Sequence, residues 1–500
     1  MSQSHVLALD LGTTGNRAIV FDQAGQIVSQ AYREMTQHYP QPGWLEHDPM
    51  DMWRDVQWAM QTAIADAALS PSDIAAVGLT VQRETCLLWD QATGQPLHNA
   101  IVWQDRRTAG LCENLHNQGL KPEIQARTGL VLDAYFSASK LKWLLDWSRD
   151  QDIAEGSILA GTVDTWILWN LTGRKVHATD HSNASRTMLM NLKQRDWDSR
   201  MLEIFGIPQA ILPEIKPSLS IFGTTDAAIV GAEIPIAAVF GDQQAALFAH
   251  GCDRPGLLKC TYGTGAFLVA HTGKNIVPSQ HQLLSTVAWT SGNDAGYGIE
   301  GSMFTAGACI QWLRDGLGII SQASQTHELA TSVSNNNGVY FVPALSGLGA
   351  PHWDMSARGA FLGITGGVTR AHLVRAVLEA IAYQVKDVVD AVNDDSGRAI
   401  ECLKVDGGAC QNDFLMQYQA DVLGIPIERP AVLEATAQGA AYGAGLTVGF
   451  WKSYEQLITQ RAINRTFEPG DAQASAQRCF QHWLEAVERV KNWPATDSER

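Results

Sequence analysis

The sequence predicts an α/β fold made of two domains, and three observations lead to this expectation. The chain has 500 residues, which is more than one hydrophobic core usually organises. Continuous apolar runs of strand length alternate with helical stretches, as in sheets covered by helices. Each half of the chain also contains a strand, a tip rich in Gly and Thr, and a second strand. This repeat in architecture suggests two related domains that face each other.

The first half opens with a predicted hairpin. The apolar runs 6–10 and 18–22 have the length of strands, and residues 11–17 between them form a turn by composition. A helical stretch over about 52–68 precedes a third strand over 74–81. Because strands alternate with helices here, the segment favours an α/β sheet.

The second half repeats the pattern. Residues 256–261 and 266–270 predict another hairpin with a Gly- and Thr-rich tip. Apolar positions at helical spacing predict a helix from Thr369 to about Val392. A short strand over 402–405 and a helix over 413–423 follow. The second domain is therefore expected to contain a sheet and helices of its own.

The boundary between the two domains is expected near residue 245. Pro, Gly and small residues gather over 215–240, a composition typical of connecting segments. This gives an N-terminal domain of residues 1–245 and a C-terminal domain of residues 246–500. The last residues, 494–500, are expected to form a frayed tail.

The composition is that of a globular protein. Apolar residues make up 45% of the chain and charged residues 18%, which excludes a largely disordered chain. A net charge of −16 argues against nucleic acid or an anionic membrane as the partner. The most apolar stretch, residues 227–240, carries Glu233 and is too short to span a bilayer. We therefore expect no nucleic-acid partner and no membrane insertion.

The cysteines favour a reducing compartment. They form no CxxC pair and are scattered over the chain, so buried, reduced thiols are expected rather than a zinc site or a disulfide framework. Residues 1–5 are polar and show no signal-peptide pattern. These observations predict a cytoplasmic protein.

Residues 10–17, Asp-Leu-Gly-Thr-Thr-Gly-Asn-Arg, are the first candidate for phosphate binding. The glycines let the backbone approach a phosphate, Thr13 and Thr14 add hydroxyl donors, and Arg17 supplies a charged fork. Asp10, at the end of a strand, suits Mg²⁺ bound through water. An ordinary hairpin tip with a solvated Arg is equally compatible with these residues.

Two further Gly-rich turns extend this hypothesis. Residues 261–265 form the tip of the second hairpin, and residues 406–412 lead from a strand into a helix. Helix N-termini after Gly-rich turns bind anions and nucleotides. Each turn alone is better explained as a structural turn. Walker A, protein-kinase and GxGxxG motifs are absent from the sequence.

Asp242 is the candidate general base. It follows an apolar strand in the segment 241–244, and a carboxylate there could take a proton from a hydroxyl nucleophile. The alternative is the N-cap of the helix that follows, a role that Asp often fills.

Arg83 and Glu84 are candidates for binding a small polyol. A cation and an anion side by side at a strand end can donate to one hydroxyl and accept from another. Without other evidence, a surface ion pair is the better explanation of this dipeptide. Trp103, Tyr135 and Phe267 could supply an apolar wall for the carbon backbone of the ligand, although core packing is the better explanation for any single aromatic residue.

With these residues in view, the chain resembles the FGGY carbohydrate-kinase family of the actin-like ATPase superfamily. The resemblance runs from about residue 6 to residue 451. It implies two actin-like, ribonuclease-H-like ATPase domains with a cleft between them. The similarity rests on these segments, in chain order: 10–17, 82–84, 103–108, 133–140, 161–166, 183–187, 241–244, 261–265, 345–353, 359–364 and 372–379.

Within that family the chain is most similar to the members that phosphorylate glycerol. The resemblance implies that ATP and glycerol react, with Mg²⁺, to give ADP and sn-glycerol 3-phosphate, and that Asp242 is the general base. It assigns the other roles as follows: Arg83, Glu84, Tyr135, Asp242 and Gln243 hold glycerol, Trp103 and Phe267 form the wall, Thr13, Thr14 and Arg17 contact the β- and γ-phosphates, Asp10 orients the metal, and Thr264, Gly307, Gln311, Gly408 and Asn412 line the nucleotide site.

The chain departs from the family pattern at three places. Leu11 stands where these relatives usually carry Gln. Glu233 occupies the position of an Arg in the loop that binds fructose 1,6-bisphosphate in enterobacterial relatives, and its charge would repel that ligand. Relatives activated by phosphorylation carry a His in a region that has none between residues 205 and 248. Both modes of regulation are therefore expected to be absent.

Relatives are often dimers or tetramers, which implies a homodimer or homotetramer.

Two other functions stay open. A kinase for a longer polyol or a ketose, such as erythritol or xylulose, would share most of these segments. Such relatives usually differ around Arg83, Glu84 and Trp103, which favours glycerol. A nucleotide-driven chaperone or scaffold, like actin and the heat-shock ATPases, would hydrolyse ATP without a polyol.

Overall fold

The structure is a computed structural model that describes residues 3–151, 153 and 155–493. The tail expected over 494–500 lies outside the described residues. The strands, numbered in chain order, are β1 (His5–Leu11), β2 (Gly15–Phe21), β3 (Ile27–Glu34), β4 (Glu46–His47), β5 (Ile74–Val81), β6 (Cys86–Asp90), β7 (Ala100–Ile101), β8 (Ile158–Thr162), β9 (Ala178–Asp180), β10 (Met190–Asn191), β11 (Asp196–Trp197), β12 (Glu214–Lys216), β13 (Gly223–Thr224), β14 (Pro235–Gly241), β15 (Leu257–Tyr262), β16 (Ala266–Gly273), β17 (Leu284–Ser291), β18 (Asp294–Met303), β19 (Tyr340–Val342), β20 (Ala360–Leu362), β21 (Cys402–Asp406), β22 (Ile427–Pro430) and β23 (Ile463–Phe467).

The α-helices alternate with these strands. They are α1 (Pro49–Asp66), α2 (Ala109–Asn117), α3 (Lys121–Thr128), α4 (Ser137–Asp150), α5 (Val163–Leu171), α6 (His181–Ala184), α7 (Ser199–Phe205), α8 (Ala227–Val230), α9 (Asp242–Ala249), α10 (Gly307–Gln311), α11 (Gln325–Thr331), α12 (Arg370–Ser396), α13 (Asp413–Leu423), α14 (Ala435–Thr447), α15 (Tyr454–Thr459) and α16 (Gln473–Glu488).

Two large mixed sheets organise the chain and confirm the predicted α/β class. The first sheet has the order β13-β14-β5-β1-β2-β3, and the second has the order β17-β18-β16-β15-β21-β22-β23. In the first sheet β14, β5 and β1 are parallel neighbours, and in the second β15, β21 and β22 are. Each sheet therefore has a parallel centre, at whose carboxyl edge ligands bind in α/β proteins.

Several expected elements have the observed bounds or nearly so. Strand β5 and helix α13 match the expected ranges 74–81 and 413–423. Helix α1 starts earlier than expected, because Asp48 accepts hydrogen bonds from the backbone N–H groups of Met50 and Asp51 and so caps the helix. Local capping signals thus account for the helix limits.

The first hairpin differs from its prediction. A turn over 11–17 was too long: β2 begins at Gly15, and Arg17 pairs with Asp10 inside the ladder. Only three residues, 12–14, form the tip. Arg17 is thus a strand residue beside the tip rather than part of it.

Helix α14 belongs to the second half of the chain but packs on the first sheet and on α9. Glycines allow α14 to lie close to α9 and to strand β5. A Cβ atom on Gly439 would lie 1.9 Å from the carbonyl oxygen of Ala245, and one on Gly78 would lie 2.0 Å from that of Ala440. The division of the chain at residue 245 stays a prediction.

The described residues include no helix that is long and apolar enough to cross a membrane. All eight cysteines are free, and all but Cys402 and Cys479 are buried. Burial raises the pKa of Cys86 to about 12 and that of Cys252 to about 11. The thiolate is the reactive form of cysteine. These thiols are therefore protected from alkylation in two ways: reagents cannot reach them, and they stay protonated at neutral pH.

We therefore expect iodoacetamide at neutral pH to label the folded protein slowly, at no more than two of its eight cysteines. Denatured protein should take up label at every cysteine. Mass spectrometry of intact protein counts the labels. Fast labelling of Cys86 or Cys252 in folded protein would contradict the burial described here.

Candidate active site

The carboxyl ends of three parallel strands bring the main site candidates together. Asp10 lies near the end of β1, Arg83 and Glu84 follow β5, and Asp242 follows β14. Val81, the last residue of β5, pairs with the last residue of β1 on one side and that of β14 on the other. The candidates therefore line one edge of the first sheet.

Arg83 and Glu84 are buried in a network of charges. Arg83 Nε lies 3.0 Å from Asp242 Oδ1, and its two Nη atoms donate to Glu300 at 2.5 and 2.8 Å. Glu84 Oε1 accepts a hydrogen bond of 2.6 Å from Arg186 Nε. Arg83 and Glu84 are thus each bound to other partners, and both are nearly inaccessible to solvent. The surface ion pair considered as an alternative is wrong.

Asp242 keeps an accessible carboxylate in this buried surrounding. It is the first residue of α9 and does not cap it, since the N-cap position belongs to Gly241. Asp242 Oδ1 accepts from the backbone N–H of Gln243 at 2.7 Å, and Oδ2 accepts from Gln243 Nε2 at 3.0 Å. Its side chain remains 26% exposed. A substrate hydroxyl can therefore reach this carboxylate.

Gln243 is held in turn by Lys259 from the second sheet. Lys259 Nζ donates to Gln243 Oε1 and, at 3.0 Å, to Thr261 Oγ1. Burial lowers the pKa of Lys259, while Asp406 and Asp242 act in the opposite direction. Both halves of the chain therefore contribute to this side of the site.

The three aromatic candidates form one wall. The ring of Trp103 lies edge-on to Tyr135 at 5.4 Å and to Phe267 at 6.0 Å between centroids. Trp103 Nε1 donates to Thr13 Oγ1 at 2.8 Å. The wall is thus joined directly to the tip of the first hairpin.

That tip has a fixed backbone. The N–H of Gly12 donates to the carbonyl of Gly15 at 3.0 Å, and the carbonyl of Thr14 accepts from the N–H of Met35 at 2.9 Å. The carbonyl of Thr13 accepts from Gln37 Nε2 at 2.9 Å. The hydroxyl groups of the two threonines are therefore presented from a rigid loop.

Asp10 and Arg17, beside the tip, contact the start of α14. Asp10 Oδ2 accepts from Thr436 Oγ1 at 2.8 Å, and Arg17 forms an ion pair with Glu434. Burial raises the pKa of Asp10 to about 6, against the opposite effects of Thr436 and Arg17.

A cavity of about 620 Å³ lies beside the second sheet. Two of the five expected nucleotide residues, Gly408 and Asn412, line it. Asn412 also caps α13, because its Oδ1 accepts from the N–H of Leu415 at 3.0 Å. The other residues that line the cavity are Ile310, Ala323, Ser324, Thr326, His327, Glu328, Ala409, Gln411, Asp413 and Arg429.

The other three expected nucleotide residues lie next to this cavity rather than in its wall. The carbonyl of Thr264 accepts from the N–H groups of Ala306 and Ala308 at 2.8 and 3.0 Å, so the second hairpin tip packs on the start of α10. Gly307 begins α10 and Gln311 ends it, next to Ile310 of the cavity wall. Helix α10 thus connects the hairpin tip to the cavity.

Each half of the sequence matches a family model. Residues 5–249 match the N-terminal domain, and residues 258–448 the C-terminal domain, of the FGGY family of carbohydrate kinases. The chain belongs to the FGGY family of carbohydrate kinases.

Relatives of this FGGY kinase cover nearly its whole length. It is 67% identical over 498 residues to the glycerol kinase of Acaryochloris marina, covering 98% of this chain and 99% of the relative. It is 64% identical to that of a Nostoc species, with the same two coverages. The solved structure of Plasmodium falciparum glycerol kinase with ADP is 35% identical, has a TM-score of 0.91 and covers 98% of both chains. That similarity confirms the expected two-domain actin-like fold. A xylulose kinase from Lactobacillus acidophilus, at 20% identity and a TM-score of 0.88 over 97% of this chain and 98% of the other, shares the fold.

The residues beside the first hairpin tip offer few ligands for a metal ion. Across residues 3–151, 153 and 155–493, no group of three or more His, Cys, Asp or Glu side chains is placed to hold a metal. Asp10 is a single carboxylate at a strand end. Mg²⁺ keeps several waters and is commonly bound by one or two carboxylates together with substrate phosphates.

Three charged residues of the site were missed from sequence: Glu300, Arg186 and Lys259. Each had a signal. Lys259 is the one charged residue of β15, and Glu300 lies among Gly, Ile and Ser in the second half of β18, where burial of a charge requires a partner. Arg186 lies within the segment 183–187 that supports the family resemblance. Partners more than a hundred residues away could not be read from the sequence.

Proposed function

We propose that this protein transfers the γ-phosphoryl group of Mg-ATP to a terminal hydroxyl of glycerol, giving ADP and sn-glycerol 3-phosphate. The observation that carries the proposal is the accessible carboxylate of Asp242 beside the buried Arg83 and Glu84. The names of the close relatives support glycerol as the substrate.

Asp242 is the proposed general base. It takes the proton from the glycerol hydroxyl as that oxygen attacks the γ-phosphorus, and the bond from phosphorus to the β,γ-bridging oxygen breaks so that ADP leaves. Phosphoryl transfer needs an aligned nucleophile and neutralised charge more than covalent catalysis. A carboxylate held by Gln243 and Arg83 meets the first need, because its orientation is fixed before the substrate arrives.

Glycerol is proposed to lie between the charged pair and the aromatic wall. Arg83 donates to one hydroxyl, and Glu84 accepts from another through the oxygen that Arg186 leaves free. Tyr135 and Gln243 complete the polar contacts, while Trp103 and Phe267 cover the carbon chain. Since each hydroxyl has a partner, a ligand lacking one would leave a buried group unpaired.

The nucleotide is proposed to extend from the first hairpin tip into the 620 Å³ cavity. Thr13, Thr14 and Arg17 contact the β- and γ-phosphates, and the pairing of Arg17 with Glu434 is expected to give way to the phosphates. Asp10 orients Mg²⁺, which neutralises phosphate charge when it is bound. The rest of the nucleotide site comprises Thr264, Gly307, Gln311, Gly408 and Asn412.

The proposal includes a cytoplasmic location and self-association. Eight free cysteines are typical of a reducing compartment. A homodimer or homotetramer is proposed by analogy with the family.

A panel of alcohols with Mg-ATP tests this function. We expect kcat/KM for glycerol to exceed that for erythritol or xylulose by at least about tenfold, because longer ligands cannot satisfy the same polar contacts. ADP release and phosphorylated product are measured together, with reactions lacking Mg²⁺ or alcohol as controls. Equal kcat/KM values for glycerol and for the longer substrates would overturn the proposal that glycerol is the substrate. Full ATP hydrolysis without any alcohol would favour the chaperone or scaffold hypothesis.

A further inference from the structure

Glu300 lies at the centre of the charged network although it comes from the other half of the chain. It is on β18 of the second sheet, opposite Val269 of β16, and its side chain is fully buried. Oε1 accepts from Arg83 Nη2 at 2.8 Å and from Arg186 Nη2 at 3.2 Å, while Oε2 accepts from Arg83 Nη1 at 2.5 Å. One carboxylate therefore holds both guanidinium groups.

These contacts determine which donors stay available to a ligand. Arg83 has five N–H donors; Nη1 gives its two to Glu300 and Gln244, and Nη2 gives one to Glu300. Nε faces Asp242. Within the described part of the chain, this leaves one N–H of Nη2 without an acceptor. The orientation of that donor is set by the planar fork that Glu300 holds.

Arg186 transmits the same constraint to Glu84. Its Nε donates to Glu84 Oε1 at 2.6 Å, and its guanidinium group lies 5.3 Å from the centroid of the Phe136 ring. Its Nη1 is buried and has no acceptor among the described residues. If the pairing of Arg186 with Glu300 were lost, the guanidinium group that donates to Glu84 Oε1 would no longer be held from the second sheet.

We propose that Glu300 is a positioning residue: from the second sheet it orients Arg83 and, through Arg186, Glu84, and so sets how the site distinguishes alcohols by their hydroxyl groups. This inference rests on the proposed role of Arg83 and Glu84 as glycerol ligands.

The charge of Glu300 is maintained by its partners. Burial acts to raise the pKa of Glu300, but Arg186 and Arg83 outweigh that effect and hold the pKa well below its usual range. The carboxylate of Glu300 lies against two guanidinium groups, those of Arg83 and Arg186. Removing one charge without changing shape therefore leaves a guanidinium group of the site unbalanced in a buried surrounding.

The test compares Glu300→Gln with Glu379→Gln. Glu379 is a matched control, because it is also a buried glutamate paired with an arginine, Arg375 Nε at 2.7 Å, but lies on α12 outside the site. For Glu300→Gln we expect KM for glycerol to rise at least about tenfold, with KM for ATP unchanged. The preference for glycerol over propane-1,2-diol and propane-1,3-diol, each lacking one hydroxyl, should fall by a similar factor. Glu379→Gln should leave all three quantities unchanged.

Two further variants keep the result interpretable. If Glu300→Gln does not fold, Glu300→Asp keeps the charge but is one methylene too short for the two-pronged contact, and should shift the same quantities in the same direction. Arg83→Lys tests the underlying site. If KM for glycerol rises in Arg83→Lys but stays at the wild-type value in the folded Glu300 variants, the positioning role of Glu300 is overturned and the glycerol site is not. No change in either would overturn the glycerol site itself. Equal losses in Glu300→Gln and Glu379→Gln would show a merely structural effect and overturn the positioning role.

Discussion

Replacing Asp242 by Asn is expected to lower kcat by about 10²- to 10⁴-fold, because the amide cannot accept the proton of the attacking hydroxyl. Asn has nearly the shape of Asp, but its single side-chain oxygen keeps only one of the two hydrogen bonds that Gln243 donates to Asp242. Glycerol affinity, measured by isothermal titration calorimetry, should stay within about threefold of wild type, since the amide oxygen can still accept a hydrogen bond from the glycerol hydroxyl that Asp242 is proposed to hold, while the proton transfer of the transition state is lost. Steady-state kinetics with saturating Mg-ATP gives kcat.

The control for this variant is Asp226→Asn. Asp226 also lies at the start of a short helix, and its carboxylate accepts from the N–H of Ala228, a role that Asn fills equally well. Its kinetics should equal those of wild type. Near-normal kcat in Asp242→Asn would remove the general-base role. A raised KM with unchanged kcat would instead make Asp242 a binding residue only.

Local chemistry explains what the sequence alone could predict of the fold. Helix α13 has its expected ends because Asn412 caps its start and Gly424, in the left-handed region at φ 74°, ends it. Both signals lie within the segment itself. The start of β2 was misplaced for the opposite reason: Arg17 looks like a turn residue, and only its pairing with Asp10 places it in a strand.

The site shows the same division. Asp10, Arg83, Glu84 and Asp242 could be named because each lies near or just after the end of an apolar strand, and parallel strands end at one edge. The partner of Glu300 could not be assigned, because its contact with Arg83 spans 217 residues of sequence. The part of the site that binds ligand is thus marked locally, whereas the part that holds those residues in place depends on the packing of the two halves.

The largest expected loss of stability follows from Gly439→Ala. A Cβ atom at this position would lie 1.9 Å from the carbonyl oxygen and 3.0 Å from the Cα atom of Ala245. Because these are backbone atoms of α9, no side-chain rotation relieves the clash, and α14 must move away from α9. We expect the free energy of unfolding to fall by roughly 3 kcal/mol or more, measured by urea denaturation followed by circular dichroism.

Gly110→Ala is the matched control, since Gly110 is also a helical glycine but has nothing within 4 Å of an added Cβ atom. It should leave the free energy of unfolding unchanged or raise it by up to about 1 kcal/mol, because Ala favours helix. Equal stability of Gly439→Ala and wild type would contradict the close approach of α14 and α9. Ala245 lies one turn after Asp242 on α9, so a displacement of this helix also moves the proposed base. Folded Gly439→Ala protein should therefore lose kcat as well, whereas Gly110→Ala should keep it.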